Sequence, residues 1–376
     1  MMRIGIDAHG VGGHSLGLGN ESYFKYLIKG LLEIDDTNEY HVFVNHPEEM
    51  AAIVAGRPNV RLVSLWPPTQ WAQRPFSLPI YAARHRLHVV HCPFIRPPVV
   101  PARTVVTVHD ACFEELPQHF RRREVWRMKL LVPRSCKRSD LVFTVSEYAR
   151  EQLRRLYDVP GEKIVVTYNG ADHTGPREYG PWPAPQGLEQ TPYVLYVGLL
   201  QPRKNLRRLV TAFEQLRDRG LPHHLVLAGR SGWGNEDLLA AVARSPHRAA
   251  IHLPGYVRHD QFATLMSNAS AFAFPSEFES FGIPPMEAQR WGVPALVSAN
   301  TCFPEIYGES VAYCNPLEVQ SIAASLFRLL TDDALRTQLR ARGIERSGRY
   351  TWRATAAIAL QAYERLYAAH RGAVAS

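Results

Sequence analysis

Ala271-Phe-Ala-Phe-Pro-Ser-Glu-Phe-Glu-Ser-Phe-Gly-Ile-Pro-Pro-Met-Glu-Ala288 is the stretch of this chain that says most about its architecture. The apolar run Ala271–Phe274 reads as a buried strand, and the loop after it passes through Gly282. Pro284 and Pro285 then open a helix near Met286, because proline is tolerated in the first turn. Glu279 and Glu287 stand eight residues apart with the glycine turn between them. A strand–loop–helix of this kind leaves the backbone N–H groups of Phe281, Gly282 and Ile283 near a helix N-terminus, where phosphate binds. Acids on either side of such a site accept hydrogen bonds from sugar or ribose hydroxyls. The bland alternative makes Glu287 a favourable first-turn acid and Glu279 a solvated loop charge.

Outward from this stretch, short apolar strands alternate with helix-like segments, the pattern of α/β domains with parallel sheets. In the first half the spacing predicts strands at Arg3–Asp7, Tyr40–Val44, Val60–Leu65, Val89–Cys92, Thr104–His109, Leu141–Val145 and Ile164–Tyr168. A helix from about Asn20 to Ile34 carries Phe24, Leu27, Ile28, Leu31 and Leu32 at helical spacing. Between His173 and Thr191 glycines and prolines break every period, so this is a linker. A second series follows, with strands at Tyr193–Val197, His224–Ala228, Ile251–Leu253, Ala271–Phe274 and Pro294–Val297. Later helices run over Val319–Leu330, Asp333–Gly343 and Trp352–His370. The expected organisation is a first doubly wound domain over 1–175, a linker over 176–192, a second doubly wound domain over 193–351, and a helix over 352–376 that packs back toward the first domain. Two such halves place a site in the cleft between them, at the carboxyl ends of the strands.

Length and composition agree. A chain of 376 residues, 46% apolar and 21% charged, is an ordinary two-domain globular protein. No apolar run approaches the roughly 20 residues of a membrane helix, and no apolar leader follows the N-terminal Arg3, so a cytoplasmic location is expected. The five cysteines are scattered without metal-type spacing, which suits reduced thiols. Net charge is +8, of which Arg121–Arg138 alone carries +7, with eight basic residues against Glu124. The basicity is local, and general nucleic-acid binding is not supported.

That basic stretch interleaves its cations with Val125, Trp126, Met128, Leu130, Leu131 and Val132, and Pro133 is expected to bend or end any helix there. Two readings stay open: an interfacial segment that docks on anionic lipid through Phe120–Arg138, or a core-packed helix with a solvated basic face.

Arg203 and Lys204 follow a strand and Gly198 and precede a helix, where anions are already attracted. Lys204 is the only lysine after Lys163 in a chain that otherwise uses arginine for nearly every cation, and its compact charge is a different tool from a guanidinium fork. The alternative is two solvated cations before an amphipathic helix. No DxD occurs, and neither a metal nor another cofactor is expected.

The stretch around Glu279 and Glu287 resembles the Glu-x7-Glu signature of retaining nucleotide-sugar glycosyltransferases of family 4, which have the GT-B fold. Gly198-Leu-Leu-Gln-Pro-Arg-Lys-Asn205 resembles the family's Arg-Lys-Asn loop, and Leu225-Val-Leu-Ala-Gly229 its next strand. Gly255-Tyr256-Val257 resembles the base-binding turn, while Val108-His109-Asp110, Thr144-Val-Ser-Glu147 and Asn169-Gly170 resemble positions of the N-terminal half. The resemblance implies two Rossmann-like domains facing across a cleft, with His109 contacting the donor sugar and Asp110 near the acceptor. It implies roles at the reacting centre for Arg203, Lys204 and Glu279. Donor contacts would come from Gly198, Tyr256, Val257, Phe281, Gly282, Ile283 and Glu287, and from Gly17 and Gly19 in the glycine-rich stretch 10–19. His109 and Asp110 could equally be a strand-end pair satisfying its own loop. The implied activity is transfer of a hexose, mannose first, from GDP-mannose to a cell-surface glycan or lipid-linked acceptor in α linkage. The protein would then lie in the cytoplasm or on the inner face of the membrane. A nucleotide-sugar epimerase and a non-catalytic sugar-nucleotide binder are the rivals; intact Glu279, Glu287, Arg203, Lys204 and His109 favour transfer.

Overall fold

The computed structural model describes residues 1–12, 19–69, 72–175, 188 and 191–375. The chain forms two compact units, one of Met1–Gly170 with Thr351–Ser376 and one of Ala171–Tyr350. Residues 171–175 therefore group with the second unit and not with the first, where they were expected. The linker expected over 176–192 lies almost wholly outside the described residues.

Among the described residues the first unit holds seven strands: β1 (Arg3–Asp7), β2 (Glu39–Phe43), β3 (Val60–Val63), β4 (Val89–Pro93), β5 (Arg103–Thr107), β6 (Leu141–Thr144) and β7 (Ile164–Val166). They pair in the order β3-β2-β1-β4-β5-β6-β7, every neighbour parallel. Parallel strands need crossovers on both faces, which is why they read as apolar runs rather than alternating ones. The chain reverses direction of winding between β1 and β4, a topological switch point. The Trp352–Ala375 helix belongs to this unit, where Trp352 stacks on Tyr26 with centroids 5.5 Å apart and meets Tyr23 edge-on.

The second unit holds β8 (Tyr193–Val197), β9 (His224–Ala228), β10 (Ile251–Gly255), β11 (Ala271–Phe274), β12 (Ala295–Ser298) and β13 (Ala312–Cys314) in the order β10-β9-β8-β11-β12-β13, all parallel. Its switch point falls between β8 and β11. Strand β13 was not expected from the sequence; three residues cannot display a period.

Three corrections follow from these elements. Strand β5 ends at Thr107, so His109 and Asp110 lie in the loop beyond it. Gly19 is the first residue of the Gly19–Ile34 helix rather than a loop glycine, and Gly17 lies outside the described residues. Pro133 does not end its helix, which runs unbroken over Arg122–Arg138. Tertiary packing overrides the local penalty: Val132 and Cys136 are buried in a cluster with Val106, Val108, Val142 and Leu153. The opposite face leaves Arg121, Arg122, Arg123, Lys129, Arg134, Lys137 and Arg138 exposed, with Trp126 among them at 69% exposure.

Candidate active site

The site assembles within the second unit from the loops that leave β8 and β11, the two strands flanking the switch point. After β8 the chain passes through a single 3-10 turn, Pro202–Lys204, and reaches Asn205 in the left-handed region at φ 62°. The Asn205 side-chain amide donates to the carbonyls of Pro275 (3.0 Å) and Pro316 (2.6 Å). The Glu277 N–H donates to the Arg203 carbonyl at 2.9 Å. These bonds tie the two loops to each other and to Pro316, so residues 70 or more positions apart in sequence share one wall.

Glu279 is the centre of that wall. It is 8% exposed, its carboxylate accepts from Lys204 Nζ, and Arg203 Nη1 donates to the same oxygen at 3.2 Å and to the Phe278 carbonyl at 3.2 Å. Burial alone would push this carboxyl up, but the charges of Lys204 and Arg203 outweigh it and hold the group below its usual range. Lys204 is itself buried, with Nζ 4.8 Å from the centroid of the Phe274 ring, a cation–π contact. Neither solvated alternative fits: Glu279 and Lys204 are buried and paired with each other.

Gly282 precedes the Ile283–Arg290 helix at φ 80°, and a Cβ there would come within 2.6 Å of the Phe303 ring. Only glycine supplies both the left-handed turn and the space. Phe281 is buried edge-on against Tyr350, 5.5 Å between centroids, and the Gly282 carbonyl accepts from the Tyr307 hydroxyl. Among the described residues neither Phe281 nor Gly282 donates its N–H to a protein acceptor. The turn thus presents free N–H groups beside the start of a helix.

Glu287, on that helix, accepts at Oε1 from His173 Nε2 at 2.8 Å, and Trp291 Nε1 donates to Thr174 Oγ1 at 3.0 Å. The sequence reading missed His173 because it opens the Pro/Gly-rich segment, where no periodic pattern marks a buried side. At the carboxyl ends of β8, β9 and β10, Gly198, Gly229 and Gly255 form a bare backbone shelf, and the Gly229 N–H donates to the Gly255 carbonyl at 2.7 Å. Beside it Tyr256 is 50% exposed and the Arg230 guanidinium lies 4.4 Å from its ring centroid. Val257 is half-buried next to it. Arg230 was also missed; an arginine two residues past a strand gives no signal of a stacking partner.

His109 and Asp110 belong to the first unit. His109 is packed edge-on against Tyr23 at 4.8 Å and beside Phe94 at 5.8 Å, and its Nε2 has no hydrogen-bond partner among the described residues. Asp110 Oδ1 accepts from the Cys112 N–H at 3.0 Å, at the start of the short Cys112–Glu115 helix. A buried ionic group that the sequence reading did not single out sits at the end of β1. Asp7 is paired with Arg74 Nε at 3.0 Å and with His9 Nδ1 at 2.5 Å. Burial opposes the charge on Asp7, but Arg74 and His9 hold its carboxyl far below the usual range.

The buried imidazoles make a prediction about acid stability. Burial pushes His91 and His109 down to about 3. In the unfolded chain each takes up a proton near pH 6.5, so stability is full above that pH and is lost as pH falls toward 3. Between pH 7 and pH 5 the first unit is expected to lose roughly 4 kcal/mol, from two groups at about 1.4 kcal/mol per pH unit each below 6.5. Urea titrations at the two pH values measure this, and His109→Asn should remove about half of the difference. An unchanged midpoint at pH 5 would show that neither ring is shielded.

No group of three or more His, Cys, Asp or Glu side chains among the described residues is arranged to hold a metal ion. Residues 19–174 match the profile described as Glycosyltransferase Family 4, and residues 181–346 that described as Glycosyl transferases group 1. Over 284 residues the chain is 30% identical to the O-antigen chain mannosyltransferase B of Escherichia coli, covering 74% of each protein. The chain belongs to the family 4 glycosyltransferases. Its fold is GT-B. A sucrose-phosphate synthase from Thermosynechococcus elongatus superposes with a TM-score of 0.78 at 22% identity over 98% of this chain and 100% of the other. Anabaena Alr3699/HepE, solved in complex with UDP-glucose, superposes with a TM-score of 0.74 at 17% identity over 98% of this chain and 100% of the other. In this family 4 glycosyltransferase, then, the paired Glu279, Lys204 and Arg203 stand on the loops of the Glu-x7-Glu and Arg-Lys-Asn motifs.

Proposed function

We propose that this glycosyltransferase moves a hexose, mannose first, from a nucleoside diphosphate sugar, GDP-mannose first, to a cell-surface glycan or lipid-linked saccharide, with retention to an α linkage. The observation that carries the reading is the meeting of Lys204 and Arg203 with Glu279 beside the free N–H groups of Phe281 and Gly282. A diphosphate gains negative charge as its bond to the sugar breaks, and two fixed cations with preorganised N–H donors stabilise that charge in the transition state. With the leaving group neutralised in this way, no acid need protonate it, and the departing oxygen can take the proton of the incoming hydroxyl on the same face of the sugar. Glu279, held by two cations, suits hydrogen bonding to sugar hydroxyls better than nucleophilic attack. Glu287 would take the ribose and the Arg230–Tyr256 stack would flank the base. Lys204 and Arg203 do the charge work of a bridging metal, so we read transfer as metal-independent.

The test is a thermal-shift panel of GDP, UDP, ADP and dTDP with their sugars, followed by a transfer assay with and without EDTA. GDP-mannose at 100 times its dissociation constant should add about 2.7 kcal/mol of stability, and EDTA should leave transfer intact. A preference for another base, or activity lost in EDTA and restored by Mg²⁺ or Mn²⁺, would overturn the donor or the metal assignment respectively.

Among the described residues no helix is long and apolar enough to cross a membrane. We infer that the exposed basic face of the Arg122–Arg138 helix, with Trp126 standing out from it, meets an anionic membrane on its cytoplasmic side. Replacing Arg121, Arg122 and Arg123 by Gln should weaken binding to anionic vesicles at low salt by about 3 kcal/mol, with Trp126 emission losing its blue shift. Wild-type protein that ignores such vesicles at low salt would leave the segment a solvated helix face.

A further inference from the structure

The cations expected to hold the donor diphosphate are already occupied, and by a carboxylate of the same wall. Lys204 Nζ and Arg203 Nη1 both donate to one oxygen of Glu279, at 8% exposure of that residue. Lys204 is buried too, its ammonium fixed between the carboxylate and the Phe274 ring. Arg203 is further held by the Phe278 carbonyl, and both loops are tied by Asn205. The cations therefore have little room to leave Glu279 and reach outward; an arriving anion has to come to them.

We propose that Glu279 is a displaceable internal counter-anion: the diphosphate of an arriving sugar nucleotide takes Lys204 and Arg203 from it, and Glu279 takes them back once the sugar has gone, which expels the spent nucleoside diphosphate. The inference rests on the reading of Lys204 and Arg203 as the diphosphate cations. Its physical basis is that a buried carboxylate stripped of its partners is costly unless new donors replace them. An intact sugar nucleotide brings such donors, because the hydroxyls of its hexose can hydrogen-bond to the released carboxylate. A bare nucleoside diphosphate brings the competing anion and no sugar hydroxyl. The exchange is thus favourable with the donor and unfavourable with the product, and the same carboxylate discriminates between them. The released group does not need to move far, since it already shares the wall with both cations.

The experiment is a set of calorimetric titrations of wild type, Glu279→Gln and Glu279→Asp with inorganic pyrophosphate, with GDP and with GDP-mannose. Glu279→Gln removes the competing charge, and Glu279→Asp keeps the charge but shortens its reach to Lys204 by one methylene. Both variants are expected to bind pyrophosphate and GDP about 10-fold tighter than wild type or more, and GDP-mannose no tighter. GDP should become a correspondingly stronger product inhibitor in both. Pyrophosphate and GDP affinities that stay equal or weaken in Glu279→Gln would overturn the proposal. So would tightening in Glu279→Gln with wild-type affinity in Glu279→Asp, because that pattern is long-range repulsion without exchange. Pyrophosphate carries no base or sugar, so a protein that binds it but refuses GDP-mannose would correct the donor assignment and leave the exchange to be judged on the pyrophosphate comparison. Absence of binding of pyrophosphate, GDP and GDP-mannose alike, in wild type and in both variants, would overturn both readings.

Discussion

Lys204→Ala is expected to lower turnover by about 10²–10³-fold, the usual cost of one preorganised charge partner at a reacting centre. The effect should appear in kcat as well as in donor affinity, because the charge on the leaving diphosphate is greater in the transition state than in the bound donor. Arg203→Ala should fall in the same range. Lys204→Ala has a second consequence, since it strips Glu279 of its nearest cation inside a wall that is almost closed to water. Breaking one partner of a buried pair typically costs about 3–5 kcal/mol, so the second unit should also melt earlier. The double variant Lys204→Ala/Glu279→Gln separates the two effects: melting temperature should recover and turnover should not. Turnover within a few-fold of wild type in both single variants would remove the two cations from the site.

Gly229→Ala is expected to be the most damaging single methyl group in the second unit. Gly229 has φ +146°, and a Cβ built there would lie 1.8 Å from the Gly198 carbonyl oxygen and 2.8 Å from its carbon. The obstacle is backbone, so no rotamer change relieves it, and either β8 or β9 must shift at its carboxyl end. Overpacking of this kind costs about 3 kcal/mol or more. For a unit of this size that is a drop of roughly 6–12 °C in melting temperature. Nucleoside diphosphate affinity should fall with it, since the shelf of Gly198, Gly229 and Gly255 carries the loops that lead to Arg203, Arg230 and Tyr256. Gly348→Ala, at the end of the Asp333–Gly348 helix where a Cβ meets nothing within 4 Å, is the control and should lower neither quantity. Calorimetry of the two variants decides the matter; wild-type melting of Gly229→Ala would show that the strands yield easily there.

Strand-by-strand, the alternation in the sequence was readable wherever a strand is long and buried on both faces. Tyr193–Val197, His224–Ala228 and Ala271–Phe274 are assigned to the same residues in the structure. It failed where local signals compete with packing. Pro133 reads as a helix breaker, yet burial of Val132 and Cys136 keeps the Arg122–Arg138 helix continuous. Ala312–Cys314 reads as nothing, because its strand is made by pairing with β12 and not by its own three residues. Glycine-rich stretches have the same weakness: Gly19 looks like a loop residue and begins a helix.

By itself the sequence determined that the chain alternates strands with helices in two series, that Glu279 and Glu287 flank a glycine turn before a helix, and that Arg203 and Lys204 stand just past a strand. Those are local facts, and short-range backbone preference and hydrophobic period are enough to write them. The pairing of Glu279 with Lys204 and Arg203, of Glu287 with His173, and of Arg230 with Tyr256 was decided only by the tertiary structure. Parallel strands are joined by crossovers rather than hairpins, so neighbours in the sheet need not be neighbours in the chain. Strand β8 lies against β11 because helices must cover both faces of the sheet, and that order alone brings the loop after Val197 to the loop after Phe274. Whether a charged side chain in either loop is solvated or buried against its partner depends on that adjacency, and no spacing along the chain records it.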